Sequence, residues 1–260
     1  MKYCVSGRQG RAVLAKADEI EMEYKDRERL LDYTTQFNDK AFIVKIPKEE
    51  ENIDWLVLKA LAEKFSDFYI ALGDLNRVNE LKTYGLKYYW SYPIVTWEEL
   101  DAIVELEPDY LFLGAPLSFS LEKVKIRYNI PIRLCVNLAY NAYIPRKNGI
   151  TGSWIRPEDI EVYEQWVDSI VFSTDDLGKE STLLDIYKFN KVWPGNLNLL
   201  ITNLNYNIDN RAIPEEFGKI RANCGQRCKE KQNCHFCDIA FDFATDIRKK
   251  HYRDKKKELT

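Results

Sequence analysis

Eight short apolar runs recur along most of this chain, and stretches with helical spacing separate them, an alternation that restricts the fold more than any motif does. The runs occupy 2–7, 19–24, 41–47, 68–73, 87–93, 110–115, 132–137 and 169–173. Each is rich in Val, Ile, Tyr, Phe or Leu and stops near Gly, Pro, Ser or a charged residue, as buried parallel strands do. Between them, Ile53, Leu56, Val57, Ala60 and Leu61 form one apolar face at 3.6-residue periodicity. Thr96-Trp97-Glu98-Glu99 is a capping box that opens another helix, and Pro157 followed by Glu158 and Asp159 marks a third start.

Parallel strands joined by helices, eight in number, predict an α/β chain with a (β/α)8 TIM-type barrel over residues 1–190. Eight is the count at which such a sheet closes around an interior filled by side chains. An open doubly wound sheet is the alternative, but no Gly-x-Gly-x-x-Gly follows any run, which removes its dinucleotide-binding version. Residues 191–260 differ in composition and predict a C-terminal extension. Over 193–221, Leu and Ile residues are expected to dock on the barrel while interspersed Asn side chains bond exposed backbone. A four-cysteine segment and a basic tail follow.

Apolar residues make up 45% of the chain, enough for a packed core, and the net charge of −3 announces no global attraction to nucleic acid. The cluster of Lys and Arg at 248–257 reads as a solvated tail, with a polyanion contact as the lesser reading. No segment approaches the roughly 18 consecutive apolar residues that span a bilayer, and the first residues lack the apolar core of a signal peptide. The expected compartment is the cytoplasm, where thiols stay reduced. Clustered cysteines then argue for a metal rather than for disulfides.

The cluster is Cys224-x3-Cys228-x5-Cys234-x2-Cys237. Thiolates are soft anionic donors, and four satisfy either a zinc ion or a [4Fe–4S] cluster. Five residues between the pairs is short for zinc ribbons, so the [4Fe–4S] cluster is the first expectation and one Zn2+ the alternative. Four buried small hydrophobes would be the plain explanation, but the polar neighbours speak against it. Cys4 and Cys135, within predicted strands, read as core residues.

Both histidines, His235 and His251, follow the barrel, so no Ser–His–Asp system and no His-ligated catalytic zinc is expected inside it. Functional groups are instead sought at the C-terminal strand ends. Lys45 stands out as a cation inside the apolar run 41–47, with Glu23 on the neighbouring strand as its natural partner. The two are the catalytic candidates, and a purely structural ion pair is the competing reading. Arg8 and Arg156 are candidate anion binders, and Asn137, Tyr140 and Asn141 open a long loop suited to substrate binding.

The passages Ile132-Arg133-Leu134-Cys135-Val136-Asn137 and Trp154-Ile155-Arg156-Pro157-Glu158-Asp159, in a barrel of this length, resemble the collagenase-like peptidase family U-32. The resemblance covers roughly residues 1–190 and implies a [4Fe–4S] cluster held by four cysteines. It also implies oxygen-independent hydroxylation of a quinone precursor or an RNA base, or else peptidase activity. The family's Glu-x-Phe, Gly-x-x-Cys and Gly-x-Cys signature is absent, so the likeness assigns no catalytic residue. The segment 193–211 and the cysteines after it also resemble uncharacterised bacteriophage-encoded proteins.

Two function classes follow. One is an iron–sulfur barrel that binds or modifies a small molecule or RNA at its mouth. The other is a non-enzymatic barrel, stapled by zinc, that binds a phage or host protein.

Overall fold

The computed structural model describes residues 1–114, 117–138, 154–173, 176–202 and 208–222. All eight expected strands are present: β1 (Lys2–Ser6), β2 (Glu19–Glu23), β3 (Ala41–Ile46), β4 (Phe68–Leu72), β5 (Tyr88–Trp90), β6 (Leu111–Leu113), β7 (Ile132–Cys135) and β8 (Ser169–Val171). They form one parallel sheet in the order β5-β4-β3-β2-β1-β8-β7-β6. The outermost two, β5 and β6, meet at a seam. Asp109 N–H donates to Tyr88 O at 2.9 Å, Ile94 N–H to Phe112 O at 2.8 Å, and Gly114 N–H to Ile94 O at 2.8 Å. The sheet is therefore a nearly closed barrel rather than the open alternative. Both seam strands are shorter than their apolar runs, because Pro93 has no N–H to give a ladder and only isolated bonds cross the seam.

Three aspartates tie the bottom of the barrel by the same device. Asp18, Asp109 and Asp168 each precede a strand, and each donates its N–H to a carbonyl on a neighbouring strand (Tyr3, Tyr88 and Ile132). The carboxylate of each then accepts the N–H of that same residue, at 2.8–2.9 Å. Backbone groups at these strand starts would otherwise be orphaned, so the device belongs to stability.

The helices are α1 (Arg11–Lys16), α2 (Arg27–Gln36), α3 (Trp55–Ala62), α4 (Val78–Thr83), α5 (Trp97–Val104), α6 (Leu121–Tyr128), α7 (Leu177–Leu184) and α8 (Phe217–Ala222). The Thr96 box caps α5 with both reciprocal bonds present. The α3 face differs from the predicted one. Trp55, Leu58 and Leu61 are buried, whereas Leu56 is 70% and Val57 41% exposed. Asp54 caps this helix by accepting Val57 N–H, and the face of Trp55, Leu58 and Leu61 packs on the barrel. After Pro157 the chain makes a 3-10 turn over Pro157–Val162 instead of an α-helix.

Alternation along each strand divides the side chains into two sets. Ile20, Met22, Val44, Ile70, Leu113, Leu134 and Ile170 face the helices and share one hydrophobic cluster. Cys4, Ile43, Tyr69, Ala71, Tyr89, Tyr110, Phe112 and Cys135 fill the barrel interior.

After the barrel, apolar residues of the described segments 191–202 and 208–222 pack against it. Leu197, Leu200, Ile201 and Ile208 are buried in the same cluster as the barrel's outer faces. Each contributes on the order of 1.5–3 kcal/mol relative to exposure. Asn196 Oδ1 accepts the N–H groups of Asn198 and Ile208, and Asn210 Nδ2 donates to Trp193 O and Glu158 Oε1. No described helix is long and apolar enough to cross a membrane.

Candidate functional site

The barrel interior is polar where its sequence alternates charge with apolar residues. β2 reads Glu19-Ile20-Glu21-Met22-Glu23, so period-two geometry turns all three glutamates inward at three heights. Glu19 is the lowest of the three. Its Oε2 lies 2.9 Å from Arg133 Nη1 and accepts a bond from Ser169 Oγ at 2.6 Å, with both charged side chains 1% exposed. The Arg133 guanidinium also stacks 4.9 Å from the centre of the Tyr89 ring. Burial works against that positive charge, but Glu19 and its anionic neighbours outweigh it and hold Arg133 firmly protonated. Tyr89 OH donates to Glu21 Oε2 at 3.3 Å, which links this buried layer to the one above.

Above it the barrel opens at the C-terminal strand ends into a cavity of about 300 Å³. Cys4, Glu21, Phe112, Cys135 and Val171 line it, with Ser6, Arg8, Glu23, Lys45, Ser91, Leu138 and Ser173 nearer the rim. Asp26 and Arg29 reach it from the start of α2, and Glu180 from α7. The lining is lopsided. Apart from Glu180, its charges come from Arg8 just after β1, from β2 and β3 and from the start of α2, whereas β5 to β8 and the residues just after them give hydroxyls, one thiol and apolar groups.

Lys45 and Glu23 are register partners across β2 and β3, and both point into this cavity. The structural ion pair between them is not formed. Among the described residues neither side chain makes an ion pair or a hydrogen bond, because at this height each is only half-buried and water competes for it. Glu180 behaves differently. It is buried, accepts Ser6 N–H at 2.7 Å and Gln9 Nε2 at 2.6 Å, and burial raises its carboxyl pKa above the ordinary value.

Cys4 and Cys135 both project into the cavity floor and are buried. Burial pushes the Cys135 thiol up to about 12 and the Cys4 thiol well above its usual value, so both are neutral thiols and poor nucleophiles near pH 7. Their reading as interior packing residues agrees with this.

Two expected ligand-binding residues do other work. Arg156 is buried and forms a bidentate pair with Asp159, both N–O distances being 2.7 Å. It also donates to Ile213 O and Pro214 O and stacks on Phe217, so it clamps the extension to the barrel instead of waiting for an anion. Asn137 is buried too. Its Oδ1 accepts Ser173 N–H at 2.7 Å, and its Nδ2 donates to Ser173 O and Leu200 O, which joins β7, the end of β8 and the extension. Arg8 does sit at the rim, with its Nε 3.3 Å from Ser6 Oγ. Tyr140, Asn141 and the cysteines Cys224, Cys228, Cys234 and Cys237 lie outside the described residues. Among the described residues no group of three or more His, Cys, Asp or Glu is arranged to hold a metal.

Glu19, Glu21, Arg133, Tyr89 and Glu180 were not singled out from the sequence. The first two carried a signal, the strict alternation of β2, and Arg133 carried the same signal as Lys45, a cation inside an apolar run. Glu180 carried none, since an acid in the first turn of a helix is ordinary. No protein-family model matches the chain, and no curated protein matches it in sequence.

Proposed function

We propose that this chain binds a small polar molecule at the C-terminal mouth of its barrel, with Lys45, Glu23 and Glu21 as the contacting groups. The observation that carries this reading is the pairing state of the charges. At the floor the buried charges lie in ion-pair contact, although Glu19 Oε1 and the Arg133 nitrogens have no hydrogen-bond partner, whereas Lys45 and Glu23 face a cavity without partners among the described residues. A cavity of about 300 Å³ stands at the small end of ligand pockets, which favours a metabolite-sized molecule or one extruded base over duplex RNA. The C-terminal strand ends are also where barrels of this type carry their chemistry.

The four cysteines complete the proposal as a metal centre in the extension. Their donor set suits a [4Fe–4S] cluster, which supplies electron-transfer chemistry of the kind that hydroxylation without oxygen requires, or a Zn2+ ion, which fastens the chain. Metal analysis after anaerobic purification separates the two: about four irons per chain with visible absorbance, or one zinc and no colour.

The binding reading is tested by equilibrium dialysis against a cell metabolite extract, with the retained molecules identified by mass spectrometry. Wild type retains a compound that Ser91→Trp, which fills the mouth, does not. Equal retention by both proteins, or none by either, contradicts the reading.

A further inference from the structure

The distribution of charge around the mouth narrows the class of molecule it takes. On one side Glu21 and Glu23 bring two carboxylates and Lys45 brings an ammonium, all projecting from adjacent strands. Arg8, Asp26, Arg29 and Glu180 add further charges of both signs to the lining, and opposite β2 and β3 the side chains of Phe112, Leu138 and Val171 present an apolar wall. A ligand of one sign would leave one set of these charges unmatched inside a cleft, which costs affinity. A fully polar ligand would waste the apolar wall.

We infer that the mouth takes an amphiphilic zwitterion, a free α-amino acid with an apolar side chain. Its ammonium group lies against Glu21 and Glu23, its carboxylate against Lys45, and its side chain against Phe112, Leu138 and Val171. The inference rests on the proposed binding reading and adds the ligand's chemical class. Both charged groups of the ligand are matched within one register step of β2 and β3, since Glu23 and Lys45 are direct partners there. The cavity volume suits a molecule of this size and excludes one much larger.

Isothermal titration of the full chain with L-phenylalanine, L-leucine, glycine, N-acetyl-L-phenylalanine and L-phenylalaninamide tests this. L-Phenylalanine or L-leucine binds, glycine binds more weakly for want of a side chain, and the acetylated and amidated forms each lose roughly tenfold or more in affinity. Lys45→Met weakens the amino acid by a similar factor and leaves the amide's affinity unchanged, because the amide has no carboxylate to lose. Glu23→Gln weakens the amino acid and leaves the acetylated form unchanged. Acetylated or amidated forms that bind as tightly as the amino acid overturn the inference. So does a panel in which no amino acid binds. If dialysis still recovers a compound that Ser91→Trp excludes, only the ligand class falls; if it recovers none, the binding reading falls with it.

Discussion

Two glutamates of one strand face cations inside the same barrel and come to opposite ends. At the floor Glu19 meets Arg133 at 2.9 Å, with both side chains 1% exposed and Ser169 Oγ donating to the same carboxylate oxygen. At the rim Glu23 faces Lys45 across β2 and β3, and the two remain apart. The chemistry is nearly the same, so burial decides the outcome. Without water, an unpaired charge costs several kcal/mol and must find its counter-ion. Where water reaches, the pair adds about 0–1 kcal/mol, and each side chain stays available to something else. The floor pair is buried within the barrel, and the rim is left open for the binding proposed above.

The largest expected effect comes from breaking the floor. Arg133→Met leaves the Glu19 carboxylate buried without a counter-ion, and urea denaturation should show a loss of about 3–5 kcal/mol. The double variant Glu19→Gln/Arg133→Met removes the stranded charge and should lose less than Arg133→Met alone. An equal loss in the two would mean that Glu19 is not the partner that matters.

A smaller effect is expected at the clamp that holds the extension. A Cβ on Gly218 would come within 2.4 Å of the Asp159 carboxylate, which Arg156 already holds from the other side. Gly218→Ala should therefore cost about 1–3 kcal/mol in thermal unfolding. Gly10→Ala, where a Cβ meets nothing within 4 Å, is the matched control and should be near neutral. Similar losses in both would put the clamp account aside.

Glu180 stands between floor and rim, buried yet lining the mouth. Its carboxyl pKa is raised above the ordinary 4.5 in the folded chain, chiefly by burial. The folded state thus binds the proton more tightly than the unfolded state, and the stabilisation is complete below the unfolded value. It is lost as pH rises through the raised folded value. The stability of wild type minus that of Glu180→Gln should therefore decline with rising pH across this window, by a fraction of the total stability. A flat difference across that range in pH-resolved urea titrations would contradict the assignment.

Most strands were legible in the sequence because they are covered on both faces and read as one apolar run, while β2 alternates glutamates with Ile20 and Met22. Closure of the barrel followed from their number, not from any local signal. The α3 face was misread because Leu56 and Val57 fit a helical period as well as Trp55, Leu58 and Leu61 do, and only packing shows which side turns inward. The rim was legible through Lys45, since a lysine in an apolar run must point somewhere. Arg133 offered the same clue, but its partner Glu19 lies far off in the chain, and only the barrel brings β2 and β7 across from each other. Arg156 was taken for an anion binder although its anion, Asp159, stands three residues away. Spacing alone does not tell a capping acid from a clamped one.

The stability of Lys45→Met tests the central contrast most directly. If Lys45 is held at the rim for a ligand, its loss in the unliganded protein should change the unfolding free energy by no more than about 0.5 kcal/mol. A loss of about 2 kcal/mol or more, approaching that of Arg133→Met, would make Lys45 a second structural cation and contradict the account.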